Sequence, residues 1–456
     1  MTTVSEQVAV DATELAKGFR GEFVRRDDAG YDEHRAVWNG SIDRHPGLIA
    51  RCAGVADVIA AVSFARENGL PVAVRSGGHS FPGHSVCDDG LVIDLSLMKG
   101  VRVDPDARTA RVQAGVLLGE LDRETQAFGL AVPAGIVTHT GVAGLTLGGG
   151  IGWLMRKFGL TIDQLQSVDL VTAGGDFVKA SNDENADLFW GVRGAGANFG
   201  VVTSFEFRLH PVGPGVLGGV VIHPLAKAKA ALSFYYEYSH SAPDELCADA
   251  FFLTSPDGDP VFAISVCYIG PMEEGERVLE PLRRFGPPLA DEVGPVAYTE
   301  LQAVGDVFFP AGLNYYWKSH FLKEITNDAL EATVSHFARV PSPRSLIVFQ
   351  QFGGAVSRVA HSETAFRHRN AQYDNFAASI WTDPRDVDMH QQWVREWWDM
   401  MNSFSIGAEY VNNLGEEGED RVRAAYGDNY ERLVALKHTY DPTNFFRLNA
   451  NIQPSA

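Results

Sequence analysis

The sequence predicts an α+β protein of two lobes, on three observations. Residues 1–212 are rich in glycine and short β-like runs. Residues 213–410 alternate strand-length apolar runs with amphipathic helical stretches, and residues 411–456 hold a helical tail followed by RLNANIQP. With 456 residues, 45% of them hydrophobic, the chain can bury substantial cores.

In the first lobe, DVIAAVSFARENGL (57–70) carries apolar residues at helical spacing and ends in Asn68-Gly69 before Pro71. Val72 and Val74 then fit a buried strand. LVIDLSLM (91–98) and VRVDPDARTARVQAG (101–115) read as paired strands, the second folded at Asp104-Pro105-Asp106. LLGELDRETQAFGL reads as a helix closed by Gly129.

In the second lobe, GVLGGVVIH, ELCADAFFLTS, PVFAISVCYIG and SLIVFQQFGG read as strands. HPLAKAKAALSFYYEYSHSA, NDALEATVSHFARV and DMHQQWVREWWDMMNSF read as helices, which predicts an antiparallel sheet covered by helices on one face. The tail DRVRAAYGDNYERLVALKHTYDPTNFF reads as a helix stopped at Asp441-Pro442, and residues 411–456 are expected to return to the first lobe.

The chain carries 58 acidic against 38 basic residues, a formal charge of −20. That repels phosphate backbones and argues against a nucleic-acid partner. An anionic cofactor must then be met mainly by backbone dipoles. Cys52, Cys87, Cys247 and Cys267 are scattered with no CxxC pair, so they signal neither a metal site nor disulfides and are expected as buried free thiols. The N-terminal MTTVSEQVAVDATELAKGFRGEF lacks an apolar export core, and no apolar run reaches membrane-spanning length. A soluble cytoplasmic protein is the expectation.

Three glycine-rich stretches can carry chemistry. PVAVRSGGHS (71–80) runs from a strand into Gly77 and Gly78, where the backbone can turn its amides toward a phosphate. His79 beside them can be a nucleophile or covalent tether, a base, or a hydrogen-bonding loop residue. Residues 133–165 hold glycines at 135, 141, 144, 148, 149, 150, 152 and 159, either a tightly packed turn-rich crossing or a surface that lets backbone approach a flat ligand. No GxGxxG sits between strand and helix with an acid some 20 residues on, so this is not a Rossmann fingerprint, nor is it a Walker A loop. DLFWGVRGAGANFGVVTSFEFRLHPV (187–212) leads Gly194, Gly196 and Gly200 into an alternating strand that can lie along a cofactor.

Together, RSGGHS (75–80), GLTLGGGIGWLMRKFGLT (144–161), FWGVRGAGANFGVVTSFEF (189–207) and YDPTNFFRLNANIQP (440–454) resemble the berberine bridge enzyme-like oxidases. These belong to the vanillyl-alcohol oxidase / p-cresol methylhydroxylase flavoprotein superfamily. The resemblance implies a PCMH-type FAD-binding domain over 1–212, built of two α/β subdomains, and a substrate domain over 213–410. It implies FAD held by Arg75, Ser76, Gly77, Gly78, His79 and Ser80, by Thr140, Gly141, Gly144, Gly148, Gly149, Gly150 and Gly152, and by Val202, Asn449 and Asn451. In such proteins the loop histidine, here His79, is joined to the 8-methyl carbon of the isoalloxazine, which needs a neutral imidazole. Many members carry a second link from a cysteine; Val137 stands there, so a single tether is expected. His139 and Thr140 share that segment, where one can face the flavin edge.

The resemblance also places the middle sheet over the flavin. Gln350 and Gln351 are adjacent, so only one can reach the pocket, and Gln351 is expected there to orient substrate. EYVNNLGEE (409–417) resembles the Tyr-x-Asn-Tyr of sugar-oxidising relatives, with Asn413 in place of the second tyrosine. Asparagine is no base, which weakens a carbohydrate-oxidase reading. Tyr410 remains as a candidate catalytic phenol or as a buried tyrosine satisfying the backbone. Tyr315, Tyr316 and Lys318 are further pocket candidates, or an ordinary amphipathic strand. Asn449 and Asn451 share a face at period 2 and are expected to hold the flavin ring.

The expected function is an FAD-dependent oxidoreductase that removes hydride from a small alcohol, amine or phenolic natural product, with O2 as acceptor. The alternatives are a dehydrogenase using another acceptor, a carbohydrate oxidase, an NADPH-driven reductase of the same architecture, and a flavin-binding protein without turnover.

Overall fold

A computed structural model describes residues 12–13 and 15–455. The reading of residues 1–11 and 14 as free of an export signal lies outside them. Among the described residues, no helix is long and apolar enough to cross a membrane.

The first lobe contains a four-stranded and a five-stranded sheet over a shared core, with a two-stranded ribbon of Leu130–Ala131 and His210–Pro211 besides. In the four-stranded sheet, Leu48–Arg51, Leu91–Asp94 and Val72–Arg75 run parallel, with Glu22–Val24 antiparallel at the edge. Leu91–Asp94 is buried at every position and so behaves as a central strand covered on both faces. This corrects its expected pairing with 101–115. Val101–Asp104 alternates half-buried with exposed, as a strand with one wet face must, and pairs instead with Thr109–Gln113 in a five-stranded antiparallel sheet. That sheet also holds Gly200–Arg208, Leu165–Thr172 and Phe177–Ser181.

The second lobe is an eight-stranded antiparallel sheet built from residues between 215 and 381. Four helices, Ala228–Ser241, Met272–Arg284, Asn327–Phe337 and Val387–Met401, pack on one face around Tyr235, Phe252 and Trp397. On the other face, Phe251, Val348 and Phe376 stand in register on three neighbouring strands. They form a wall facing the first lobe.

The tail is two helices rather than one, Glu419–Tyr426 and Tyr430–Tyr440, because Gly427 takes φ +52° between them. The buried Lys437 ammonium donates to Asn198 O at 2.9 Å, Phe446 O at 2.8 Å and Asp441 Oδ2 at 2.7 Å, which fastens the tail to the loop before Gly200–Arg208. Residues 447–455 are irregular, not a strand.

Candidate active site

A cavity of about 410 Å³ lies where the glycine loops of the first lobe, the bare face of the large sheet and the tail meet. Its first wall begins where strand Val72–Arg75 runs into Ser76–Ser80. Gly77 lies so close to Gly141 that a Cβ on either would run into the other's backbone nitrogen. The amides of Gly77, Gly78, His79 and Ser80 have no hydrogen-bond acceptor among the described residues, although these residues line the cavity. Among the described residues, no Asp, Glu, Lys or Arg lines it. The wall therefore presents peptide dipoles without a charged side chain, the arrangement expected for an anion in a chain of net charge −20.

His79 is held from two sides. Its ring stacks on Trp38 at 4.3 Å between centroids, and its Nε2 lies 2.9 Å from His139 Nδ1. Burial first, and the neighbouring His139 second, push His79 down to about 3, so its imidazole is neutral across the physiological range.

The glycine cluster divides. Thr140, Gly141, Gly144 and Gly148 line the cavity. Gly149 and Gly150 do not; at φ +141° and +84° they turn the chain away from it and pack against Phe366, Tyr410 and Thr161. Gly152 lies against Ala134 O, also off the wall. Arg75, expected at the cofactor, instead sends its guanidinium to His34 O. Val202 and Asn449 line the cavity, whereas Asn451 does not, since the irregular backbone there breaks the period-2 face assumed for the pair. Asn449 donates to Ala197 O at 2.7 Å and Phe446 O at 3.1 Å, leaving its buried Oδ1 without a partner. Val137 lines the cavity, while all four cysteines are buried free thiols off its wall.

On the sheet side, strand parity reverses the expected glutamine. Val348 faces the cavity, so Gln350 does too, and Gln351 points into the helical layer. There Gln351 Oε1 accepts from Ala248 N at 2.9 Å and its Nε2 donates to Ser239 O at 2.7 Å. Tyr315 and Tyr316 are not phenolate candidates either. Tyr315 stacks on Trp38 and donates to Pro310 O, Tyr316 meets Arg395 at the surface, and Lys318 pairs with Glu417. Trp317, between them, lines the cavity.

Tyr410 reaches the cavity but is not set up as a base. Its hydroxyl oxygen accepts from Gly150 N at 2.9 Å and from Asn412 Nδ2 at 2.8 Å, and burial raises rather than lowers its pKa. Asn413 also lines the cavity and donates through Nδ2 to Asp374 Oδ2 at 2.9 Å. Burial and the nearby Glu409 hold the Asp374 carboxyl well above the usual carboxylate range.

Residues 46–181 match a family model described as an FAD binding domain, and residues 409–453 match one described as berberine and berberine like. An FAD-linked oxidoreductase of Dictyostelium discoideum is 37% identical over 97% of this chain and 96% of its own. The chain belongs to the berberine bridge enzyme-like family of FAD-linked oxidoreductases. The (R)-6-hydroxynicotine oxidase of Paenarthrobacter nicotinovorans is 32% identical over 95% of this chain and 97% of its own. Among solved structures, 6-hydroxy-D-nicotine oxidase from Arthrobacter nicotinovorans superposes with a TM-score of 0.90 at 31% identity, covering 97% of this chain and all of that one. The berberine bridge enzyme-like protein 1 of Physcomitrella patens gives 0.88 at 26% identity, covering 96% and 98%.

FAD fits the geometry of this family member. The free amides of the Gly77–Ser80 loop meet the requirement of a diphosphate where no cation is available, and the close Gly77–Gly141 approach leaves backbone rather than side chains at that wall. The residues that sequence reasoning missed are Trp38, Phe251, Trp317 and Phe376, and it chose Gln351 over Gln350. The strand alternation offered a signal for Gln350 and Trp317. Nothing local marks Trp38, which reaches His79 only through the fold.

Proposed function

We propose that this chain is an oxidase that holds FAD covalently through His79 and dehydrogenates a small, largely apolar amine, with O2 as electron acceptor. The observation that carries the reading is a cavity with a neutral, immobilised imidazole on one wall and, among the described residues, no charged side chain on any. FAD, when bound, supplies the two-electron chemistry. Phe251, Trp317, Val348 and Phe376 give an apolar wall that excludes water and suits an aromatic or aliphatic substrate body. Gln350 and Asn413 offer hydrogen bonds that orient it. A neutral amine needs no strong base to lose hydride, whereas an alcohol does. Tyr410 retains its proton, and Asn413 stands where sugar-oxidising relatives carry a basic tyrosine.

Purified protein precipitated in acid should keep its yellow colour in the pellet, and His79→Ala should release it to the supernatant. Anaerobic addition of cyclic amines, beginning with 6-hydroxynicotine and tetrahydroberberine from the names of two relatives, should bleach the flavin, and air should restore it with one hydrogen peroxide formed per turnover. A flavin that stays oxidised with amines but bleaches with oligosaccharides would overturn the amine reading. One that bleaches with no substrate marks a binding protein.

A further inference from the structure

We infer that His139 is a positioning residue for attachment of the cofactor: it fixes which nitrogen of His79 forms the bond and takes the proton that this nitrogen's partner must lose. The inference rests on the covalent reading proposed above. A neutral imidazole has one N–H and one lone pair. His79 Nε2 is committed to His139 Nδ1 at 2.9 Å, and stacking on Trp38 holds the ring plane. Trp38 is itself stacked on Tyr315 at 3.8 Å, which blocks rotation away. His139 is no freer. Its neighbour Thr138 is clamped by Asp306, N to Oδ1 at 2.7 Å and Oγ1 to Oδ2 at 2.6 Å.

The shared proton is assigned to His79 Nε2, donating to His139 Nδ1, and this leaves the free lone pair on His79 Nδ1. That lone pair forms the bond to the 8-methyl carbon, a methyl proton leaves, and the Nε2 proton of the now cationic ring passes to His139. Two electrons go to molecular oxygen, and with the two protons released they make one hydrogen peroxide. Without an acceptor at His139, alkylation would leave a buried imidazolium, which the burial around His79 opposes.

The test follows attachment rather than turnover. Protein from riboflavin-limited cells is mixed with FAD in air, quenched in acid at intervals, and the flavin in the pellet is measured. The aminoacyl-flavin is then assigned as the Nδ1 or Nε2 isomer, and non-covalent FAD binding is followed by fluorescence to show that each variant is folded. Wild type should give the Nδ1 isomer alone. His139→Ala should slow attachment by about a hundredfold or more, the lower end of the range for losing a general base, and yield both isomers. His139→Asn, whose Oδ1 accepts the N–H but cannot take the proton, should keep the Nδ1 isomer at a reduced rate. If His139→Ala does not bind FAD, His139→Asn alone decides. Attachment at the wild-type rate in the folded variants, or an Nε2 isomer in wild type, overturns the inference. A wild-type protein that binds FAD yet leaves a colourless pellet refutes the covalent reading itself, and His139 falls with it.

Discussion

Gln350 stands directly opposite Asp374 on neighbouring strands, and with Val348 it takes the cavity face that Gln351 leaves. The two adjacent glutamines thus have separate roles. Gln350→Ala should raise KM for substrate with little change in Tm. Gln351→Ala, which strands Ala248 N and Ser239 O in the interior, should cost about 1–3 kcal/mol of stability by urea unfolding while folded protein keeps its KM. The reverse pattern would show the strand register to be shifted by one residue.

Tyr410 accepts two hydrogen bonds and keeps its proton. Tyr410→Phe is therefore expected to retain kcat within a few-fold and an unchanged pH profile, at a stability loss of about 1 kcal/mol for the hydrogen bonds removed. Loss of the acid-side limb of the kcat profile, together with most of kcat, would make the phenol a base after all.

Asp122 is buried with, among the described residues, only Gln302 Nε2, at 3.1 Å, to satisfy it, and burial pushes its carboxyl up to about 7 from the ordinary 3.8. The folded chain holds that proton more tightly than the unfolded chain. The resulting stability is present below about pH 4 and is lost as pH rises through about 7, by an amount on the order of a few kcal/mol. Asp122→Asn should flatten this dependence and raise Tm at pH 8 more than at pH 5. Equal shifts at both values would show that the carboxyl is ionised in the fold.

Lys437 and Asp441 form a fully buried ion pair that holds the tail. Lys437→Met leaves the Asp441 carboxylate buried and unpaired, and should cost about 3–5 kcal/mol. Adding Asp441→Asn should recover part of that loss, although Asp441 also accepts from Phe445 N at 2.7 Å and Phe446 N at 2.9 Å. Since Asn449 sits just beyond, FAD affinity should weaken in parallel with thermal midpoint in the single variant. Unaltered cofactor affinity would separate the tail from the site.

Much of the architecture was legible because local chemistry specified it. The helix Leu118–Gln126 before Gly129, the strands Leu246–Thr254 and Pro260–Tyr268, and the helix Val387–Met401 follow from side-chain period and turn residues. RSGGHS announced a loop with open amides because only glycine allows the approach seen between Gly77 and Gly141. Pairing was less legible. Leu91–Asp94 looks like a strand from its own residues, but its neighbours are Leu48–Arg51 and Val72–Arg75, fixed by burial on both faces.

The amino-acid order by itself determined the element types, the cofactor loop, the absence of a cysteine at Val137 and the charge balance that leaves anions to peptide dipoles, because each depends on residues adjacent in the chain. Only the tertiary structure decided that Gln350 rather than Gln351 meets the cavity, that Tyr410 keeps its proton, that Arg75, Gly149, Gly150, Gly152 and Asn451 lie off the wall, and that Trp38 and His139 grip His79. Those outcomes depend on strand register, burial and contacts between distant segments, which no local pattern encodes.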